Sequence, residues 1–484
     1  MTEHLSQAIA LRKHGHYRDA LALLDRSEPA GASWYCEKGL NCYWLGEHAC
    51  ATNYFAQAIA LEPSNVAALV NIGACFNELG KHHDAITSYE KALLIDPANT
   101  SAWGNLAKAL HDSGEFEQSI YCYHRALEKN RSPQHLRGLA LAYRKSGRFD
   151  RSRELLLEAL AINNQDERAH FGLAMTHFYL EEYEEGFKEF EWRSRLTKQQ
   201  NFRRDSPEIF SKPEYLGGSL EGKTLLLYTE QGFGDSLQFS RFIPLLRDKA
   251  ERIFMWCRPG LGKLFAANFA VDHVSEDMKA LPPFDMHLSL MSLPRYFDPT
   301  LQALNTFVPY IRAIEGHQTC LERIAGKLNV GLVWSAEQLG YEYANKKVPL
   351  NILAPLFNIP GITWHSLQVG PDSEDLKEFP LAHRIHHHGD KFRDFADTAA
   401  AVQAIDLIIS VDTSVAHLAG AMGKPVWVLL PKYADWRWSA RGEHSFWYWN
   451  SRTFQQRSHN NWQSVVEHVT HSLHCERAAW GARC

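Results

Sequence analysis

The sequence predicts two architectures in series: an all-α repeat solenoid, then an α/β region built on parallel sheets. Three observations carry this. Glycines recur at 34-residue steps through the first third of the chain. Strand, glycine turn and helix alternate after Lys223. The stretch 407–431, LIISVDTSVAHLAGAMGKPVWVLLP, reads as strand, turn, helix, turn and strand, and the second half is organised around it.

Length and composition bound the function. At 484 residues the chain exceeds one ordinary core, so two or three domains are expected. Lys plus Arg is 51 and Asp plus Glu 56, a net charge of −5. No basic excess exists to neutralise a phosphate backbone, so nucleic acid is not an expected partner. No apolar run approaches the ~20 residues of a membrane span, and the N-terminus is a mixed amphipathic helix without a signal-peptide core. An integral membrane protein is therefore not expected. Nine cysteines lie scattered without a CxxC pair, and Cys36, Cys42 and Cys50 fall at helical positions. This reads as reduced, packed cysteine in a cytoplasmic protein rather than a disulfide frame or zinc site. Of the 25 histidines, His386, His387 and His388 read as a solvated turn, and no metal site is expected.

The first element is the repeat array. Gly46, Gly80 and Gly114 are spaced by 34, Gly147 follows at 33, and Glu181 takes the place 34 later. Five residues after each stands a small residue: Ala51, Ala85, Ser119, Ser152 and Gly186. Pro63 and Pro97 close two units, and Gly15, Tyr17 and Ala20 mark a first, atypical copy. A helix-turn-helix period of 34 residues with these small positions is the tetratricopeptide signature. One unit cannot bury its apolar face alone, so about six copies over 1–193 must stack into a solenoid with a concave groove. Asn71 and Asn105 share an inner-helix position of adjacent repeats. They either hold an extended acceptor peptide by its backbone or are simply the residue common at that position.

A charged segment, 194–222, with Pro207, Pro213 and Gly217-Gly218, reads as a linker. The first α/β half, 223–327, opens with a buried strand at 224–228, the turn TEQGFGD at 229–235, and a helix over 236–246. It is not the dinucleotide fingerprint, because Leu237 stands at the third glycine position and no acidic residue ends the next strand. Asp235 sits where the helix begins. It is either a helix cap or a general base facing an interdomain cleft. Gly232 and Gly234 before it would let a substrate approach the backbone closely.

The second half, 328–456, begins with the strand 329–335, then a loop carrying Lys346 and Lys347, and a helix from 349 to 357. A strand at 363–368 ends in Gln368-Val369-Gly370, and a helix opens at Asp394. The strand 407–411 follows, with Asp412, Thr413 and Ser414 supplying oxygens that cap a helix over 416–422. Gly423 stops that helix and 425–430 is the next strand. A helix start at the carboxyl end of a parallel strand is where such folds bind phosphates. An ordinary βαβ unit with Asp412 as a mere cap is the equal alternative. Trp436-Arg437-Trp438 and 446–449 make an aromatic cluster beside these strand ends, either packing or a sugar platform. The tail, 457–484, closes with an amphipathic helix over 461–474.

EQGFGDSLQFSRFIPLL, VGLVWS, KKVPL, DFADTAA and SVDTSVAHLAGAMGKPVWVLLP, with DWRW after them, resemble bacterial tetratricopeptide-repeat glycosyltransferases. The catalytic half is similar to the heptosyltransferases of lipopolysaccharide assembly, and the layout to the protein O-GlcNAc transferases. The resemblance covers about residues 223–450. It implies a GT-B fold, two Rossmann-like domains facing a cleft, with the acceptor side at 223–327 and the nucleotide-sugar side at 328–456. It places the base on Asp235 and the donor diphosphate at Asp412, Thr413, Ser414 and His417. Lys346 or Lys347 would contact phosphate; this chain departs there from the commoner RSIPL form. Gln368 and the 394–398 loop with Asp397 would lie near base and ribose, and Gly232, Gly234 and Gln238 complete the donor site.

The implied chemistry uses a nucleotide-diphospho-sugar as donor substrate, with no cofactor and no metal, since no DxD pair suited to a metal–diphosphate is evident. A helix terminus and lysine would offset the leaving diphosphate's charge, and a base at Asp235 would activate the acceptor hydroxyl, with inversion. The expectation is thus a cytoplasmic glycosyltransferase whose repeat array presents a protein or peptide acceptor. The rival is a peptide-binding tetratricopeptide scaffold with an inactive transferase-like half, and a glycan or lipid acceptor is a third reading.

Overall fold

The structure, a computed structural model, describes residues 3–29, 31–298, 300–301, 309–319, 321–336, 346–438, 442–458 and 460–483. The chain divides into two compact units, residues 1–176 and 177–484.

The first unit is a stack of helical pairs: α1 (Glu3–Lys13) and α2 (Tyr17–Asp25), α3 (Ala32–Trp44) and α4 (His48–Leu61), α5 (Val66–Glu78) and α6 (His82–Ile95). It continues with α7 (Thr100–Asp112) and α8 (Phe116–Leu127), then α9 (Pro133–Lys145) and α10 (Phe149–Ile162). The periodic glycines turn each pair. Gly15, Gly46, Gly80, Gly114 and Gly147 all have φ between +73° and +87°, a left-handed conformation that glycine adopts without a Cβ penalty. After each, an amide reaches back five residues, as Glu47 N–H does to the Cys42 carbonyl (2.9 Å) and Lys81 N–H to Phe76 (2.8 Å). The first helix of the following pair starts on a side-chain cap in α5 and α7, where Asn65 and Asn99 accept from the Ala68 and Ala102 amides at 2.9 Å. The small residues Ala51, Ala85, Ser119 and Ser152 are fully buried between helices, as close helix approach requires.

The helix α11 (Glu167–Tyr179) runs across the dividing point, and α12 (Tyr183–Phe190) belongs to the second unit. At their turn Glu181 stands where earlier repeats have glycine, yet keeps φ +63°, and Glu182 N–H still bonds the His177 carbonyl at 3.0 Å. The turn keeps the left-handed geometry without a glycine, at some backbone strain. The 194–222 segment is not bare linker, because Thr197–Asp205 forms a helix within it.

Two sheets follow, and every strand pair in them is parallel. The smaller has β1 (Leu220–Tyr228), β2 (Ala250–Trp256), β3 (His273–Ser275) and β4 (Met286–Ser289), in the order β3-β2-β1-β4. The larger has β5 (Leu328–Val333), β6 (Ile362–Ser366), β7 (Ile385–His387), β8 (Leu407–Val411), β9 (Val426–Leu430) and β10 (Ser451–Gln455). Its order is β10-β9-β8-β5-β6-β7, so the chain reverses direction across the sheet between β5 and β8. β5, β8 and β9 are buried along their whole length, which explains their mostly apolar sequences, broken only by buried Asn329 and Ser410. Their core includes Val330, Leu332, Ile409, Val411 and Leu429, with Val465, Val469 and Leu473 of the helix Trp462–Arg483 packed on it.

Two expectations change. The helix expected over 236–246 starts earlier, at Phe233, and becomes 3₁₀ over Ser240–Leu246, because Pro244 has no N–H for an α-helical bond. His386 and His387 lie in strand β7 and not in a solvated turn. His388 is buried, with Nε2 3.2 Å from Nδ1 of buried His365. Of the two readings of the aromatic cluster, packing accounts for most of it: Trp436, Trp438, Trp447 and Tyr448 are buried, while Trp449 is 63% exposed. Among the described residues no helix is long and apolar enough to cross a membrane.

Candidate functional site

The carboxyl ends of β1 and β8 open on one cleft of about 620 Å³ in the second unit. The turn after β1 contributes Gly232, Gly234 and Asp235; the loop before the 350–353 helix contributes Lys346. The turn after β8 contributes Asp412, Thr413 and Ser414, and the next helix, Ser414–Ala421, contributes His417. These residues are separated by up to 185 positions in the chain and line a single cavity.

Local chemistry shapes both turns. Gln231 takes φ +62°, a conformation costly for a side chain with a Cβ, and both it and Gly232 line the cleft. Asp235 then accepts from the Gly232 amide through Oδ2 (3.0 Å), capping the helix Phe233–Phe239. Thr413 caps the facing helix by accepting from the Ala416 amide (3.4 Å), and its hydroxyl lies 2.9 Å from Ser410 Oγ. The two helices approach so closely at Gly234 that a Cβ there would lie 2.7 Å from His417 Cδ2. His417 is fixed from behind by a 3.0 Å hydrogen bond between Nδ1 and the Tyr448 hydroxyl.

Two ion pairs govern the electrostatics. Lys346 Nζ donates to Asp412 Oδ2, while Asp412 Oδ1 accepts from Trp438 Nε1 (2.7 Å) and lies 3.7 Å from His417 Nε2. Burial pushes the Asp412 carboxyl up, but the Lys346 ammonium and His417 outweigh it and hold the carboxyl below the usual carboxylate range. Arg437 donates through Nη2 to Asp235 Oδ1 (2.6 Å), through Nη1 to Asp435 (2.8 Å) and through Nε to Gln238 Oε1 (2.7 Å). Burial works against the Arg437 charge, yet Asp435 and Asp235 more than offset it and raise its pKa. The cleft thus combines a carboxylate at the end of β1 with two cations, Lys346 and Arg437, each paired with a carboxylate, and a helix N-terminus.

The remaining expected residues lie elsewhere. Lys347 pairs with Asp372 (2.7 Å) and Asp375 (2.8 Å) and is not on the cleft wall. Gln368 closes the end of β5, its Oε1 accepting from the amides of Trp334 (3.2 Å) and Ser335 (3.0 Å). Asp397 is tied to His317 Nε2 (2.8 Å) and Arg393 (3.2 Å). Burial pushes that carboxyl up, and the hydrogen bonds from Arg393 and His317 bring it well below its usual range. Gln238 is buried behind Asp235 and reaches it through Arg437. Asn71 and Asn105 are half-buried on α5 and α7 of the first unit.

Sequence reasoning missed Arg437, although DWRW signalled it, and Asp435 beside it. It also missed Arg258, Glu230, Lys198 and Phe202 on the same wall. Glu230 was within the quoted turn; it is buried and accepts from Arg193 Nη2 at 2.6 Å. Lys198 and Phe202 come from the helix in the supposed linker, where nothing in the sequence signals a wall of the site.

Residues 66–99 match a tetratricopeptide-repeat family, as do the overlapping spans 105–167 and 139–191. The array is therefore a tetratricopeptide scaffold. Protein FlbA of Caulobacter vibrioides is 26% identical over 304 residues, which cover 56% of this chain and 50% of FlbA. The chain thus spans about half the length of this curated relative. Solved structures that resemble parts of the chain include MamA (21% identity, 34% of this chain and 96% of that one, TM-score 0.30). A thermophilic tetratricopeptide-repeat protein of Thermus thermophilus is 18% identical over 36% of this chain and 96% of its own, with a TM-score of 0.32. A tetratricopeptide-repeat protein of Parabacteroides merdae is 19% identical over 39% and 77%, with a TM-score of 0.35.

Proposed function

We propose that the second unit is a glycosyltransferase that moves a sugar from a nucleotide-diphospho-sugar to an acceptor hydroxyl. The tetratricopeptide array serves it as the docking module for a protein or peptide acceptor. One observation carries the reading: Asp235, Lys346, Asp412, Thr413, Ser414 and His417, on which the sequence resemblance places base and diphosphate, line one cleft. The parallel orders β3-β2-β1-β4 and β10-β9-β8-β5-β6-β7 support a pair of Rossmann-like halves in a GT-B arrangement.

In the proposed step Asp235 takes the proton of the acceptor hydroxyl as its oxygen attacks the anomeric carbon. The bond from that carbon to the diphosphate oxygen breaks, the nucleoside diphosphate leaves with the electron pair, and the centre inverts. Lys346 and the N-terminus of Ser414–Ala421 neutralise the charge that develops on the leaving group. Arg437 gives the incoming diphosphate a second cation. Drawing its guanidinium from Asp235 towards phosphate would strengthen the carboxylate as a base, so donor binding and base activation are coupled through one side chain.

A scaffold with an inactive transferase-like half is the second reading, favoured by the Arg437–Asp235 pair, which also makes sense as a purely structural bridge. A thermal-shift screen of the full chain against nucleotides and nucleotide sugars separates the two. A ligand at ~100 times its Kd adds about 2.7 kcal/mol of stability. Stabilisation by one diphosphate family that is lost in Lys346→Ala supports the transferase. Indifference to a complete panel supports the scaffold.

A further inference from the structure

We propose that Cys42, Glu47 and Cys50 form a binding site for a thiophilic divalent cation of the zinc class at the turn of the α3–α4 repeat. The left-handed turn at Gly46 brings the last turn of α3 against the first of α4. The Cys42 and Cys50 sulfurs stand 3.5 Å apart there. A Glu47 carboxylate oxygen and the two sulfurs all lie within 4.8 Å of one another. With metal–sulfur bonds of about 2.3 Å, that sulfur separation gives a sulfur–metal–sulfur angle of about 99°, close to tetrahedral.

The repeat architecture does not ask for these residues. The positions 34 later hold Phe76, Lys81 and Asp84, and the next set holds Leu110, Glu115 and Gln118. Cys42 is buried, Cys50 half-buried and Glu47 exposed, so the site opens to solvent on one side. Two thiolates and a carboxylate bind the ion there, the two thiol protons pass to solvent, and water completes the tetrahedron. A disulfide fits the arrangement less well, because the sulfurs would have to close from 3.5 Å to about 2.0 Å and Glu47 would have no part in it.

The test is an anaerobic titration of the reduced, metal-stripped full chain with Co²⁺, which reports thiolate ligation by charge-transfer absorption. The expected result is one equivalent bound, bleached by Zn²⁺. The band should be lost in Cys42→Ser and in Cys50→Ser, and the affinity reduced by tenfold or more in Glu47→Gln. Alkylation of the wild-type chain followed by mass spectrometry gives a readout without variants. Zn²⁺ should shield Cys50 while exposed Cys475 stays reactive. No charge-transfer band, a band that survives both serine variants, or a Cys50 alkylated equally with and without Zn²⁺ overturns the proposal. So does loss of both thiols to a disulfide in place of metal uptake.

Discussion

Gly234→Ala tests the closest approach in the candidate site. The added Cβ would lie 2.7 Å from His417 Cδ2, where carbon–carbon contacts are ordinarily about 3.5–4.0 Å. About 1 Å must therefore open between the helices Phe233–Phe239 and Ser414–Ala421. His417 cannot simply swing aside, because Nδ1 is bonded to the Tyr448 hydroxyl (3.0 Å) and the ring packs on Trp438 at 4.8 Å between centroids. Overpacking of this kind costs about 1–3 kcal/mol. Local stability is read by native-state hydrogen exchange of the amides of these two helices. Protection there should fall by about 5- to 150-fold, the range that energy corresponds to. His417→Ala removes the atom that clashes, so Gly234→Ala should cost much less in a His417→Ala background than in the wild-type chain, a non-additive mutant cycle. Unchanged exchange in Gly234→Ala, or a loss that His417→Ala does not relieve, would refute the packing argument.

Three further outcomes follow from the same geometry. Asp412→Ala removes the acceptor of both Lys346 and Trp438 Nε1, and breaking a buried pair from one side costs about 3–5 kcal/mol. Asp412→Asn, which can still accept from Trp438, should cost less, as compared by calorimetric melting of the two variants. Asp235→Asn should leave the fold and nucleotide-induced stabilisation intact while turnover falls by ~10²–10⁴, the usual worth of a general base. Unchanged turnover would remove Asp235 from the chemistry. Burial, with facing histidines for His365 and Lys391 for His388, lowers both pKa values from 6.5 to about 4. The unfolded chain therefore protonates first, and stability should fall as pH drops from about 6.5 to about 4, then level off. Each histidine contributes a slope of about 1.4 kcal/mol per pH unit. His388→Asn should flatten the urea-midpoint profile in that window, and an unchanged profile would exclude the pair as its source.

What could be read from neighbours in the chain is what local geometry encodes. Gly46, Gly80 and Gly114 mark left-handed turns because that conformation suits glycine, and their 34-residue step places one helical pair per repeat. Asp412-Thr413-Ser414 after an apolar run announces a capped helix because a hydroxyl or carboxylate must meet amides two or three residues on. The mostly apolar runs of β8 and β9 announce strands covered on both faces. None of these needs a distant partner. The pairing of Arg437 with Asp235, 202 residues apart, depends on the order in which strands cross the sheets, and no local pattern states it. The same holds for Lys346 facing the cleft while its neighbour Lys347 faces Asp372, and for Gln368 closing β5. His388 lies against His365 because β7 pairs with β6, and the sulfurs of Cys42 and Cys50 meet because a turn closes between them. Elements arise from interactions within a few residues. The site arises where elements remote in sequence are packed together, and its charges take their partners from whatever that packing brings within reach.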